Sequence, residues 1–247
     1  MKLRILFLFL IVLTFNSCSK ELDQPTSLLT QVIKFYEGLE VVETTAFAAS
    51  AEDVDISNTT YIYFYPVEGA TNFQYFQTSS ANKNPQNLSN YNVRDFEIED
   101  VFDGTLKRFV RTETNDVYSI ITYQADGKFY ISLPLEFKDQ RQRTSYSSVV
   151  NVDQTQSLMP KFTWTNSAFS ANELYHQVVS DANNQFLTGT YTLAKQFQYG
   201  SASNVVNSIN PGVIPDLILN DDYNFTLFAI DGNYWVNSII EEQFTAQ

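Results

Sequence analysis

The sequence predicts an all-β protein built from two tandem β-sandwich domains that follow an export signal. Beyond residue 27 the apolar residues alternate with a period of two, as in Tyr223-Asn224-Phe225-Thr226-Leu227, which is typical of half-buried strands. Asp-Gly pairs at residues 126–127 and 231–232 separate strand-like runs and indicate hairpin turns. Turn signals recur about every 8–12 residues, a spacing that favours sandwiches or barrels.

Composition supports a folded, acidic protein with a large aromatic core. The chain has 247 residues, of which 44% are hydrophobic and 15% aromatic, and its net charge is −13. That is enough material for one large domain or two ordinary ones. A charge of this sign argues against binding to nucleic acid, which requires a basic surface. One cysteine and one histidine exclude an internal disulfide and a histidine-rich metal site.

The first 17 residues predict a signal peptide. Lys2 and Arg4 precede an apolar run over residues 5–15, which is shorter than the about 20 residues of a membrane span. The run ends at Ser17-Cys18, and a small residue before a cysteine at this place resembles a bacterial lipobox, although Phe15 stands where that motif usually has leucine. The resemblance implies cleavage before Cys18 and acylation of its thiol and amino group. The alternative is an ordinary secretory signal followed by a free cysteine.

Residues 18–27 are predicted to form a tether behind the lipid. Its first residues are Ser19, Lys20, Glu21, Leu22 and Asp23. They resemble the export tag of some Bacteroidota lipoproteins, which implies display on the outer face of the outer membrane. The alternative is a solvated tether on a protein that faces the periplasm.

The rest of the chain divides at a polar segment over residues 138–146, which we interpret as a linker between domains at 28–137 and 147–247. Residues 28–42 fit either a short helix, capped by Thr26 or Ser27 and stopped at Gly38, or a strand from Gln31 onward. Other strands are predicted near residues 61–65, 73–77, 106–111, 117–123, 128–133, 162–165, 174–180, 189–193, 197–199, 223–229 and 234–240.

Both halves resemble fibronectin type III or immunoglobulin-like sandwiches. In residues 61–75, Pro66 and Gly69 shape a reversal between two aromatic strands. In the second half, Trp164 resembles the core tryptophan of strand B, and Leu219-x-x-x-Tyr223 resembles a tyrosine corner. The first half shows no such corner.

Segments 177–182, 189–192, 223–229 and 235–237 are similar to lipoproteins of Bacteroidota of comparable length. That resemblance covers most of the chain and implies no activity.

Catalytic motifs are absent from the sequence. There is no Gly-x-Ser-x-Gly elbow and no glycine-rich phosphate loop, and the single cysteine is assigned to the lipid. His176 is expected to be a partly exposed structural residue in a strand. Acidic clusters at residues 52–55, 97–103 and 221–222 are expected in solvated loops of so acidic a protein. We therefore predict that the protein is not an enzyme.

The sequence offers two weak candidate binding sites. Tyr234 and Trp235 could form an exposed platform on which a sugar ring stacks. Glu99, Asp100 and Asp103 carry oxygens that suit calcium, and the alternative is a plain solvated turn. No cofactor beyond the lipid on Cys18 is predicted. The resulting hypothesis is a lipid-anchored, non-catalytic binding or accessory scaffold protein of the outer membrane, with an envelope protein or a glycan as partner. The alternative is a glycan-capture lipoprotein of a polysaccharide-uptake system.

Overall fold

The computed structural model describes residues 28–50, 59–137, 143–147, 149–165, 172–209 and 212–247. One α-helix, Leu29–Phe35, and one short 3₁₀ helix, Leu88–Asn90, accompany the strands in these ranges. The first half contains β1 (Glu40–Thr44), β2 (Ala46–Ser50), β3 (Thr60–Phe64), β4 (Thr71–Gln77), β5 (Asn92–Arg94), β6 (Glu97–Val101), β7 (Leu106–Arg111), β8 (Val117–Ala125), β9 (Lys128–Ser132) and β10 (Leu135–Phe137). The second half contains β11 (Ser145–Ser147), β12 (Asn151–Asp153), β13 (Lys161–Thr163), β14 (Asn172–Asp181), β15 (Phe186–Thr192), β16 (Gln196–Gln198), β17 (Val205–Ser208), β18 (Asp222–Asp231) and β19 (Trp235–Thr245).

The first half is a sandwich with the strand order of the immunoglobulin class. One sheet has the order β2-β3-β7-β6, which corresponds to strands A, B, E and D, and the facing sheet has the order β9-β8-β4-β5. Strand β1 extends the second sheet by pairing parallel to β9, and β10 pairs with β8. The hairpin between β8 and β9 turns at Asp126 and Gly127, which both have positive φ, as a two-residue type I′ turn requires.

The second half repeats this arrangement. The short sheet β12-β13-β16 faces the order β15-β14-β18-β19, and β17 adds to the edge at β15. Its core holds Phe162 of β13 and Trp164, which directly follows that strand, together with Phe225 of the long sheet. The rings of Phe162 and Phe225 are stacked at 4.0 Å. The predicted core position of Trp164 and the all-β sandwich fold are both confirmed.

The tyrosine corner of the second half is formed, with one change of residue. The hydroxyl of Tyr223 accepts a hydrogen bond from the backbone N–H of Ile218 at 2.9 Å. Leu219 is 55% exposed, however, whereas Leu217 is buried in the core. The apolar partner of the corner is therefore Leu217, because the chain reaches the start of β18 through a turn at Leu219 and Asn220 that faces solvent.

The two sandwiches share one ten-stranded sheet. Strand β19 of the second half pairs in parallel with β2 of the first, at Trp235–Ala48 and Val236–Ala49. Thr144 reinforces this join: its hydroxyl donates to the carbonyl of Val236 at 2.8 Å and accepts from the N–H of Ser50 at 3.0 Å. The backbone hydrogen bonding of the sheet thus continues from one half of the protein into the other.

The shared sheet contributes side chains to three hydrophobic cores, one in each sandwich and a third between the two halves. Side chains alternate across it, so that Ile62 and Phe64 of β3 face the first sandwich core while Tyr63 between them faces the opposite side. On that opposite side the sheet curls until Tyr63 and Phe228 lie 5.4 Å apart, although β19 and β2 run between their strands. We call this concave, aromatic face the seam. Because it is as well buried as either sandwich core, the seam fixes one half against the other.

The amino-terminal segment is helical, so the first of the two interpretations of residues 28–42 is confirmed. Leu29 and Val32 pack on Phe76 and Phe129 of the first sandwich. The helix begins after Leu28 without a side-chain cap, and the predicted caps Thr26 and Ser27 lie outside the described residues. It ends before Gly38, whose φ of 105° favours glycine, and the chain continues as β1.

All the predicted strands named above are present, but several strands were missed.

The linker prediction differs in detail, since residues 145–147 form β11, which pairs in parallel with β19. Residues 138–142 of that linker lie outside the described residues, and the division into two domains remains a prediction. No helix in the described ranges is long and apolar enough to cross a membrane.

Candidate functional site

The seam opens at one end into a cleft of about 470 Å³ between the two sandwiches. We call it the tyrosine cleft, because Tyr65, Tyr191 and Tyr234 line it together with Phe47 and Glu43. Its remaining lining is formed by apolar side chains and three short polar ones, namely Leu174, Val206, Ile209, Ile230, Thr44, Thr45 and Asn207. Concave, mostly apolar clefts of this size at domain boundaries are the usual place for small-molecule sites.

Each tyrosine reaches the cleft from a different element. Tyr65 follows directly after β3, and Tyr191 lies near the end of β15. Tyr234 comes from the turn between β18 and β19, where it has a φ of 61°. Its carbonyl accepts a hydrogen bond from the N–H of Ala48 at 2.9 Å. This left-handed conformation is costly for a bulky residue, and strain of this kind concentrates at functional sites.

The floor beneath the cleft is organised by His176, which is fully buried on β14. Its Nδ1 lies 3.0 Å from the carbonyl of Thr190 and its Nε2 lies 2.6 Å from the hydroxyl of Tyr65. A carbonyl only accepts, so Nδ1 carries the proton, and the Tyr65 hydroxyl therefore donates to Nε2. The imidazole also stacks on the ring of Tyr191 at 4.2 Å.

The groups of this network are neutral over the whole physiological range of pH. Burial lowers the pKa of His176 to about 3, although the hydrogen bond to Thr190 acts in the other direction. Burial also raises the pKa of Tyr65 and of Tyr191 well above their usual values. Glu43, at the rim, is the only formally charged side chain among the described residues that line the cleft.

The opposite end of the seam opens into a second, polar cleft of about 730 Å³. Its central cation, Arg108, lies 4.1 Å over the ring of Tyr61 and pairs with Glu99 at 2.6 Å. Asn184, Asn224 and Glu241 line the other wall. The positive charge is therefore already compensated by a carboxylate of the same hairpin. The cleft is also lined by acidic side chains, Asp100, Asp103, Glu241 and Glu242, but no three of the described Asp, Glu, His or Cys side chains are grouped closely enough to hold a metal ion.

The predicted platform of Tyr234 and Trp235 is not formed as expected. Tyr234 is 38% exposed and lines the tyrosine cleft, but Trp235 is 3% exposed and packs against Phe137 in the first sandwich core. Trp235 is the first residue of β19, and side chains alternate along a strand, so its pairing with Ala48 turns it inward. The expectation of an exposed Trp235 was wrong.

Two further expectations change with the structure. His176 is completely buried rather than partly exposed. Of the calcium candidates, Glu99 pairs with Arg108 and Asp100 pairs with Lys107. In the described part of the chain, no three Asp, Glu, His or Cys side chains are grouped closely enough to hold a metal ion.

The lipidation and export residues Cys18, Ser19, Lys20, Glu21 and Asp23 lie outside the described residues. The acidic cluster at residues 52–55 does so too. Their assignments therefore remain predictions.

Comparison with known proteins concerns the fold alone. No protein-family model and no curated protein matches the chain. Among solved structures, the FN1–FN3 domains of chicken CNTN1 match with 11% identity and a TM-score of 0.30, covering 82% of this chain and 67% of that one. The receptor tyrosine kinase Torso, in a structure that explains its neurohormone perception, matches with 9% identity and a TM-score of 0.26, covering 85% of this chain and 76% of that one. The strand order places the protein in a class: it is an all-β protein with immunoglobulin-like β-sandwiches.

Sequence reasoning missed Tyr65 and Tyr191 as site residues. A signal for Tyr65 exists in the run Tyr61-Ile62-Tyr63-Phe64-Tyr65, where the tyrosines alternate with core residues. The side of the strand that faces away from the sandwich core is thus also aromatic and carries tyrosine hydroxyls. A sandwich surface exposed to solvent does not require such a face. No comparable signal marks Tyr191, since its partners lie on the other half of the chain or on a neighbouring strand.

Proposed function

We propose that this protein is a lipid-anchored, non-catalytic binding protein of the bacterial outer membrane, and that the tyrosine cleft is its ligand site. The observation that carries the proposal is the cleft itself: three tyrosines from two sandwiches converge on one cavity above a buried hydrogen-bond network. Sandwich folds host many activities, so the site and not the fold supports this function.

The chemistry of the cleft favours binding over catalysis. Both nitrogens of His176 are engaged, one donating to Thr190 and one accepting from Tyr65, so the imidazole is not available to move a proton of a ligand. Tyr65 and Tyr191 hold their protons firmly because burial raises the pKa of each. Glu43 is the only carboxylate among the described residues that line the cleft, whereas glycoside hydrolysis needs a pair.

The anchoring part of the proposal rests on the sequence. Ser17-Cys18 follows the apolar run of a signal peptide, and acylation at two sites gives stable membrane attachment where a single chain does not. Attachment also raises the local concentration of the site, so that a weak ligand affinity suffices. Ser19, Lys20, Glu21 and Asp23 favour the outer face, with a periplasmic orientation as the alternative.

A glycan-capture lipoprotein is the second candidate function. The exposed ring of Tyr234 and the polar side chains of Thr44, Thr45 and Asn207 at the same cleft favour it. The burial of Trp235 removes one of the two rings on which the platform depended. A scaffold role toward an envelope protein is the remaining form of the binding function.

Membrane fractionation tests the anchoring claim, and protease treatment of intact cells tests the orientation. Cys18→Ala should move the protein from the membrane pellet to the soluble fraction, while Ser27→Ala in the tether should leave it in the pellet. Normal partitioning of Cys18→Ala would contradict lipidation. Digestion on intact cells supports surface display, and protection until lysis supports the periplasmic orientation.

A further inference from the structure

The lining of the tyrosine cleft has an unusual chemical composition. Four aromatic residues, Phe47, Tyr65, Tyr191 and Tyr234, line it together with a single carboxylate, that of Glu43. No lysine or arginine is among the described residues that line it. Aromatic faces carry negative partial charge, and together with a carboxylate they attract a cation that is itself partly apolar.

The rings cannot easily rearrange, which makes the cleft preorganised. The Tyr65 hydroxyl is held by His176 at 2.6 Å, and the Tyr191 ring stacks on the same imidazole at 4.2 Å. Phe47 contacts that imidazole edge-on at 5.8 Å. Three of the four rings are thus fixed by one buried residue, and binding costs little side-chain entropy.

The neutral state of His176 affects the electrostatic potential in the tyrosine cleft. A charged imidazole directly behind Tyr65 and Tyr191 would repel a bound cation. Burial keeps His176 uncharged down to acidic pH, so the field in the cleft is set by Glu43 and by the aromatic faces. The overall charge of −13 adds a long-range attraction for cations.

We propose that the tyrosine cleft binds an organic ammonium ion, a substituted amine or quaternary ammonium group whose alkyl substituents contact the rings. Tyr234 covers the ion from the solvent side and Glu43 compensates its charge at the rim. This inference rests on the proposed function, because it names the ligand class of the same cleft. Hydrated metal ions and neutral hydrocarbons are both poorer matches, since the former lose water of hydration to apolar walls and the latter gain nothing from Glu43.

The direct test compares two probes of the same shape. Choline carries a trimethylammonium group, and 3,3-dimethylbutan-1-ol replaces its charged nitrogen with carbon. Titration of the full mature protein, followed by NMR of labelled tyrosine rings, should show saturable shifts of Tyr65, Tyr191 and Tyr234 with choline. The neutral analogue should bind at least about tenfold more weakly than choline, because it lacks the cation–π attraction.

Variants assign the effect to the named groups. Glu43→Gln should weaken choline binding about fivefold or more and leave the neutral analogue unaffected. Glu40→Gln on the same strand is the matched control, because Glu40 pairs with Lys128 at 2.9 Å and should not affect binding. Tyr234→Leu should weaken binding about tenfold, whereas Tyr234→Phe keeps the ring and should bind as the native protein does.

Equal affinity for both probes would overturn the ammonium assignment. The absence of shifts with choline up to about 50 mM, a concentration that would detect even very weak binding, would overturn it too. The proposed function is tested separately with a panel of neutral sugars and anionic metabolites. Shifts of the cleft tyrosines with one of those compounds, without shifts for choline, would leave the cleft as a binding site and refute only its ligand class. Shifts confined to other parts of the protein would refute both.

Discussion

The hydroxyl of Tyr65 in the first sandwich donates a 2.6 Å hydrogen bond to Nε2 of His176 in the second. Three strands of the shared sheet, β18, β19 and β2, lie between β14, which carries His176, and β3, which Tyr65 directly follows. The contact exists because the sheet curls at the seam and brings its concave faces together. It links the relative placement of the sandwiches to the arrangement of rings in the tyrosine cleft.

Removal of this hydrogen bond should destabilise the fold. Tyr65→Phe leaves Nε2 of the buried His176 without a donor, and an unsatisfied buried acceptor costs about 1–3 kcal/mol. Urea denaturation followed by circular dichroism measures the change in the free energy of unfolding. Tyr191→Phe keeps the ring that stacks on His176 and is the matched control, with an expected change below about 0.5 kcal/mol. Equal effects of the two substitutions would contradict the role assigned to the Tyr65 hydroxyl.

The buried histidine should make stability depend on pH. Its folded pKa is about 3, while a histidine in an unfolded chain titrates near about 6.5. Between these values the unfolded state binds one more proton, so the free energy of unfolding falls as the pH is lowered below about 6.5. His176→Gln lacks this linkage and should lose roughly 3 kcal/mol less than the native protein between pH 7 and pH 4. Parallel pH profiles of the two proteins would show that His176 is not buried in the neutral form.

Thr144 should behave as a structural residue although the sequence places it in the predicted linker. Thr144→Val keeps the shape and removes the hydroxyl that joins Ser50 to Val236, so we expect a loss of about 1–3 kcal/mol. Thr144→Ser keeps both hydrogen bonds and should lose less than about 1 kcal/mol. Thermal denaturation of the three proteins distinguishes these outcomes, and a Val variant as stable as the Ser variant would refute the join.

Tyr234 should lower the stability of the fold and at the same time contribute to ligand binding. Asparagine tolerates the left-handed conformation that this position adopts, and Tyr234→Asn should raise the free energy of unfolding by up to about 1 kcal/mol. The same substitution removes the ring that covers the tyrosine cleft, so ligand binding should weaken about tenfold, as for Tyr234→Leu. Calorimetric denaturation and ligand titration of one preparation test both effects. A destabilised variant would indicate that the contacts of the Tyr234 ring outweigh the backbone strain.

Much of the fold could be predicted because strands leave a local pattern. Period-two alternation and Asp-Gly turns located the hairpin of β8 and β9 and the strand β18 correctly. Strands of three residues, such as β5 and β10, are too short to show a period. Strand β2, Ala46–Ser50, was missed because its alanines resemble neither an amphipathic strand nor a turn.

The site could not be predicted because it depends on pairing between distant strands. Nothing local to Ala48 or Trp235 specifies that β2 and β19 lie side by side, yet this register decides that Trp235 faces a core and that Tyr234 faces a cleft. Residues Tyr65 and Tyr191 likewise become neighbours of His176 only when the sheet curls. The sequence could nominate Tyr234, but its partners follow from the tertiary structure.

The account depends most on the shared sheet making the two sandwiches one cooperative unit, and the two tryptophans allow a direct test. Trp164 reports on the core of the second sandwich and Trp235 on the core of the first. In Trp164→Phe and Trp235→Phe, each with one tryptophan left, urea unfolding should give a fluorescence transition that coincides with the loss of far-UV circular dichroism. A tryptophan transition displaced from the circular dichroism transition in either variant would show that the sandwiches unfold separately, and would contradict the rigid seam on which the tyrosine cleft depends.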